Sequence, residues 1–193
     1  HHPADGRDAE DDQHIGGQPH RLDRDALLRL RRIHAWLLLE PPQLERPSYQ
    51  LVLRRARDGD PAKDVLIGGE RYELTLRKST STPVHPRYVY VFAIDGFGKS
   101  TLLFPRWGSV ENRIPFALPA PPEIPLGVEC EIAPPYGIDT YFLLTTEEAL
   151  ADPWILEFDG ARTRSPAPAL TSAGWSIERL VFESVPPQTA SKR

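Results

Sequence analysis

The residues of this chain best placed by type to do chemistry are Gly98-Lys99-Ser100-Thr101. They match the second half of a phosphate-binding loop, where backbone N–H groups cradle phosphate, the lysine reaches the outer phosphates and the hydroxyl holds magnesium. The complete motif also needs an earlier glycine, where this chain has Ala93, and a helix aimed at the phosphates. Here Thr101-Leu102-Leu103-Phe104 read as strand and Pro105 follows at once. The segment therefore reads as a β-hairpin whose glycines supply positive φ, with Lys99 in solvent. The motif's nucleotide-binding reading rests on Gly98, Lys99 and Ser100 alone.

Other groupings carry less. Cys130 with His34 or His85 has the makings of a thiol–imidazole pair. Yet Cys130 stands mid-strand between Glu129 and Glu131, whose charges raise a thiol pKa rather than lower it. It is expected to be a small core residue, and nothing local orients His85 within Pro83-Val84-His85-Pro86. Glu123, Asp139, Glu147, Glu148 and Asp152 are carboxylates of the kind glycosidases pair, with no spacing that sets two of them across a bond. Trp107, Tyr136 and Trp154, with Trp175, are candidates for an aromatic platform taking sugar or peptide, carried on loops at one end of a β framework. His1, His2, His14 and His20 bind metal adventitiously at most. No catalytic residue, cofactor or metal site is expected.

The elements that must position these residues follow from composition and period. The 193 residues suffice for one domain with a proper core. Proline, 21 of 193, is about twice the usual ~5 %. It donates to no ladder and does not continue helices, so many prolines between short apolar runs predict many short strands. A net charge of −4 exerts no general pull on nucleic acid, and no stretch approaches the ~18 apolar residues of a membrane span. One cysteine excludes an internal disulfide and leaves the compartment open, cytoplasmic or exported. With no methionine, the chain is expected to be a processed or excised piece of a longer protein, with His1-His2 a tag remnant.

Residues 1–22 read as a disordered acidic tail. From Asp23 to Leu39 two readings compete, helical spacing of Leu27, Leu30 and Ile33, and alternation from Ile33. A short helix or arm into Arg32, then a strand to Glu40, satisfies both. Arg21, Arg24, Arg29, Arg31 and Arg32 form a basic run. Strands are expected at Tyr49–Leu53, Glu70–Lys78, Tyr88–Ile94, Thr101–Phe104, Val128–Ile132, Ile138–Leu144 and Trp175–Val185. Tyr88–Ile94, apolar on both faces, should be central and covered on both sides. Thr145 and Glu148 form a capping box opening one short helix that ends by Asp152-Pro153. Arg162–Gly174 reads as a linker-like loop. The whole is expected to be all-β, a mainly antiparallel sandwich over residues 23–185 with a tail at 186–193.

An ordered set of residues resembles a bacterial domain family of unknown function. Its members follow caspase-like peptidases and occur in some surface lipoproteins. Gly69–Leu76 looks like its opening strand. Tyr88-Val89-Tyr90-Val91-Phe92 with Ile94-Asp95 and Gly98 resembles its aromatic hairpin, and Leu102-Leu103-Phe104-Pro105 its return strand. Asn112, Ile124-Pro125, Pro135 and Gly137 fall where its later elements stand. The likeness covers residues 68–153; Arg87 replaces a glycine, and the Arg106–Pro122 loop is proline-rich and asparagine-poor. What the resemblance implies is a non-catalytic accessory domain, with a protein partner or an upstream peptidase. The alternatives are a carbohydrate- or peptidoglycan-binding surface module and, behind it, the nucleotide-binding enzyme.

Overall fold

The computed structural model describes residues 30–31, 33–41, 47–79, 84–106, 111–158 and 174–187. Nine strands are assigned among them: β1 (Tyr49–Arg55), β2 (Val65–Ile67), β3 (Arg71–Lys78), β4 (Arg87–Ile94), β5 (Ser100–Phe104), β6 (Arg113–Ile114), β7 (Glu123–Glu131), β8 (Ile138–Thr146) and β9 (Trp175–Val185). They build two sheets. The smaller has the order β1-β3-β7 and the larger β2-β9-β8-β4-β5, with β6 paired to β4. Every pairing is antiparallel except β2 with β9.

Alternation decides which side chains meet. Tyr49, Leu51 and Leu53 of β1, Tyr72, Leu74 and Leu76 of β3, and Ile124, Leu126 and Val128 of β7 face the larger sheet. That sheet answers with Val89, Val91, Tyr141, Leu143 and Phe182, and together they form the inter-sheet core. β4 is central and buried on both faces: Val89 and Val91 join this core, whereas Tyr90, Phe92 and Ile94 join a second cluster on the outer face. There Phe92 and Phe142 stack at 4.7 Å and Trp36 meets Phe92 edge-on at 4.8 Å. Leu156 and Phe158 complete this cover. The sandwich thus carries a third layer over part of its larger sheet.

Three expectations need correction. The segment after Arg32 is not a strand: residues 33–37 are helical, as are 30 and 31. Ile33, Trp36 and Leu39 pack on the outer face, at helical spacing. A strand with Ile33, Ala35 and Leu37 inward would have buried Leu37, which is 40 % exposed, and not Trp36, which is 1 % exposed. The supposed capping box opens no helix either. Thr145 and Thr146 end β8, with Thr145 hydroxyl-bonded to Ser176 across the ladder at 2.7 Å. The short helix is a single 3-10 turn, Pro153–Leu156, so Asp152-Pro153 starts it rather than ending it. Asp152 accepts from the Trp154 N–H and Pro153 takes the first turn, where its missing donor costs nothing. In addition, β2 is a strand for which the sequence carries no expectation, because three residues carry too little period to read. Residues 1–22 and the linker-like 162–173 lie outside the described residues.

Candidate functional site

The β4–β5 hairpin sets one end of the molecule. Asp95 closes its turn: Oδ1 accepts from the N–H of Phe97 and of Lys99, both at 2.9 Å. Gly98 has φ +79°, a left-handed geometry that a glycine adopts without strain. Ser100 then enters β5 with its hydroxyl donating to the Leu156 carbonyl at 2.6 Å, fully buried. A strand follows where a phosphate loop needs a helix, and the hydroxyl that would hold magnesium is already used. Lys99 stands exposed at the hairpin end.

Beside this hairpin the two sheets part and leave a cleft of ≈ 240 Å³. The larger sheet and its hairpin contribute Asp95, Lys99, Thr101, Asp139 and Tyr141, and Cys130 of β7 with Ile132 to Pro135 after it come from the smaller sheet's side. Its polar groups are unusual in their state. Asp139 is partly buried, and its Oδ1 has no hydrogen-bond partner. Burial pushes its carboxyl above the ordinary carboxylate range and the Asp95 charge adds to this, while hydrogen bonds with Ser184 and the Gly96 backbone pull the other way. Burial likewise raises the Cys130 thiol and, strongly, the Tyr141 phenol. The thiol donates to the Tyr72 carbonyl at 3.5 Å and lies 4.0 Å from the Tyr141 hydroxyl. Neither His34 nor His85 is among its partners, and both are exposed. A reactive cysteine needs a cationic or basic neighbour that lowers its pKa; here the dominant influence is in the opposite direction.

The other sequence candidates are not brought together. Tyr136 packs against the inter-sheet core, so tightly over Gly68 that a Cβ there would meet its hydroxyl at 2.6 Å. Trp154 packs against the outer-face cluster, on the opposite side of the larger sheet. The two cannot form one platform, and Trp107 lies outside the described residues. The carboxylates disperse too: Glu123 pairs with Arg54 at 2.5 Å, Glu147 with Arg87 at 3.4 Å, and Asp152 caps the 3-10 turn. Of that set only Asp139 reaches the cleft. Its companion Asp95 reads in sequence as a turn residue, because chain order gives no sign that the end of β4 adjoins the start of β8.

Among the described residues no group of three or more metal-ligating side chains occurs, and no helix is long and apolar enough to cross a membrane. Comparison with protein-family models, with curated proteins and with solved structures finds no match to this chain.

Proposed function

We propose that this chain is a non-catalytic recognition module of a larger bacterial protein, an accessory to a caspase-like peptidase, and that it holds its partner at the hairpin-end cleft. One observation carries the reading: the cleft gathers polar groups at the mouth between two sheets, and burial holds its thiol and phenol in their uncharged forms. An un-ionised thiol and phenol suit hydrogen bonding and shape recognition better than nucleophilic chemistry at neutral pH. Loops on a rigid framework are also where binding surfaces are most easily built. The resemblance of residues 68–153 to an accessory family supplies the attached peptidase.

The test joins an activity screen to a binding screen. The purified chain is expected to turn over neither ATP nor peptide substrates. Panning a displayed random-peptide library on it should yield binders that are lost in Ala133→Trp, which fills the cleft from an exposed wall position. Turnover abolished by Cys130→Ala, or binders indifferent to Ala133→Trp, overturns the reading.

A further inference from the structure

The cleft contains charges that do not satisfy one another. Asp95, Glu131 and Asp139 line it with one lysine, Lys99. Among the described residues, ion pairs join Glu131 to Arg71, but none joins Lys99 to Asp95 or Asp139. Asp95 and Asp139 are close enough for their charges to oppose, and Asp139 Oδ1 is left without a donor. An unpaired buried acceptor is costly, and more so when it is ionised. A donor of opposite charge placed between the two carboxyls removes both defects.

The walls say which kind of cation. No set of three metal ligands is present among the described residues, so a bare divalent ion finds too few oxygen ligands. Beside Thr101, Cys130 and Tyr141, the rest of the lining is aliphatic: Ala93, Leu103, Ile132, Ala133, Pro134 and Pro135. A volume of ≈ 240 Å³ lies below the ~300–1,000 Å³ of sites that enclose a drug-sized ligand. It suits a single long side chain. Lysine and arginine bury an apolar stem while the charged head stays with polar partners, and a charged donor on a carboxylate makes the stronger class of hydrogen bond.

We propose that the cleft takes the ammonium or guanidinium end of a lysine or arginine side chain from a partner protein, seated between Asp95 and Asp139 with its stem against Leu103, Ala133 and Pro134-Pro135. The inference rests on the recognition reading above and specifies its ligand. It makes the cleft a reader of basic segments.

The experiment is a titration of the whole chain, followed by the amide NMR shifts of Gly96, Lys99 and Asp139. The probes are Nα-acetyl-lysine methylamide, its arginine counterpart, its uncharged norleucine counterpart, and calcium chloride. The two cationic probes are expected to saturate at about millimolar Kd, the scale of one side chain, and to weaken with added salt. Asp139→Asn should weaken them about tenfold. Asp95→Asn should do the same, and it keeps an oxygen to accept from Phe97 and Lys99, so the turn survives. Norleucine methylamide binding as well as the lysine probe, or calcium moving the same amides at lower concentration, overturns the cationic ligand while leaving the cleft a binding site. Silence from every probe, with library peptides still lost in Ala133→Trp, also overturns this inference alone. Silence together with peptides that ignore Ala133→Trp removes both readings.

Discussion

Asp139 carries a dependence of stability on pH whose sign follows from its surroundings. Burial and the Asp95 charge hold its proton to higher pH in the folded chain than in the unfolded one. The native state therefore binds more protons, and its stability falls as pH rises from the ordinary carboxylate pKa of ~3.9 through the raised folded value. Below that range both states are protonated and the penalty vanishes. Asp139→Asn removes the titration and keeps an acceptor. It is expected to raise Tm by ~1–3 °C at neutral pH, on the scale of ~2–4 °C per kcal/mol for a domain of this size. Near pH 3 it should change nothing. Thermal scans at the two pH values decide it; a gain equal at both would place the effect outside ionisation. Lys99→Ala gives the contrast, since an exposed side chain without an ion pair among the described residues should stay within about 0.5 kcal/mol of the parent in urea. These residue-scale features were only partly legible. Lys99 in solvent follows from the hairpin pattern, but the approach of Asp95 to Asp139 needs the β4–β8 ladder, which brings together residues 44 positions apart by their numbers.

Two sheet edges are closed by carboxylates from neighbouring elements. β1 is an edge of the small sheet, and its Leu51 N–H donates to Glu178 Oε2 of β9 at 2.8 Å. β5 is an edge of the large sheet, and its Leu102 N–H donates to Glu157 Oε2 at 3.4 Å, next to the bridge between Ser100 and Phe158. Inward-pointing charges on edges are a known way to block pairing with another chain. Glu178 also ties the sheets to each other on the β1–β9 side. Glu178→Ala is expected to cost about 1–3 kcal/mol, because it leaves a part-buried donor unmet. Glu178→Gln keeps an acceptor oxygen and should recover most of that loss; burial raises the Glu178 carboxyl, so removing its ionisation is no handicap. Urea titrations of the three proteins check this, and equal loss in both variants would mean that the charge and not the hydrogen bond matters. At this scale the sequence spoke clearly for β3, β4 and β9, each a β-prone run of eight or more residues. It misled at Thr145, because a local capping pattern lost to nine residue pairs of the β8–β9 ladder. It misled again after Arg32, where strand and helix periods both fit and only the sheet beneath breaks the tie.

The third layer is the feature that most constrains the molecule as a whole. A run apolar on both faces, Tyr88–Ile94, announced that both sides of the large sheet would be covered. It could not say by what, since the cover comes from both chain directions: Trp36 from before β1, and Leu156 and Phe158 from between β8 and β9. Arg179 fastens the first of these. Its guanidinium on β9 donates to the carbonyls of Trp36, at 3.1 Å, and of Leu39, at the end of the helical segment where carbonyls lack partners. The inter-sheet core, by contrast, contains no residue of the helical segment. The two clusters should therefore respond separately. Trp36→Ala is expected to cost about 3–5 kcal/mol, the range for losing a buried aromatic. It should also uncover Phe92 and Phe142, so that the folded variant binds an apolar dye such as ANS while its far-UV circular dichroism stays that of a β protein. Leu74→Ala, in the inter-sheet core, should cost about 2–5 kcal/mol and bring no dye binding before unfolding, because its cavity opens onto the opposite sheet and not onto solvent. Dye binding by both variants at the same denaturant concentration would show that the layers melt as one, and that the outer cover is part of a single core rather than a lid upon it.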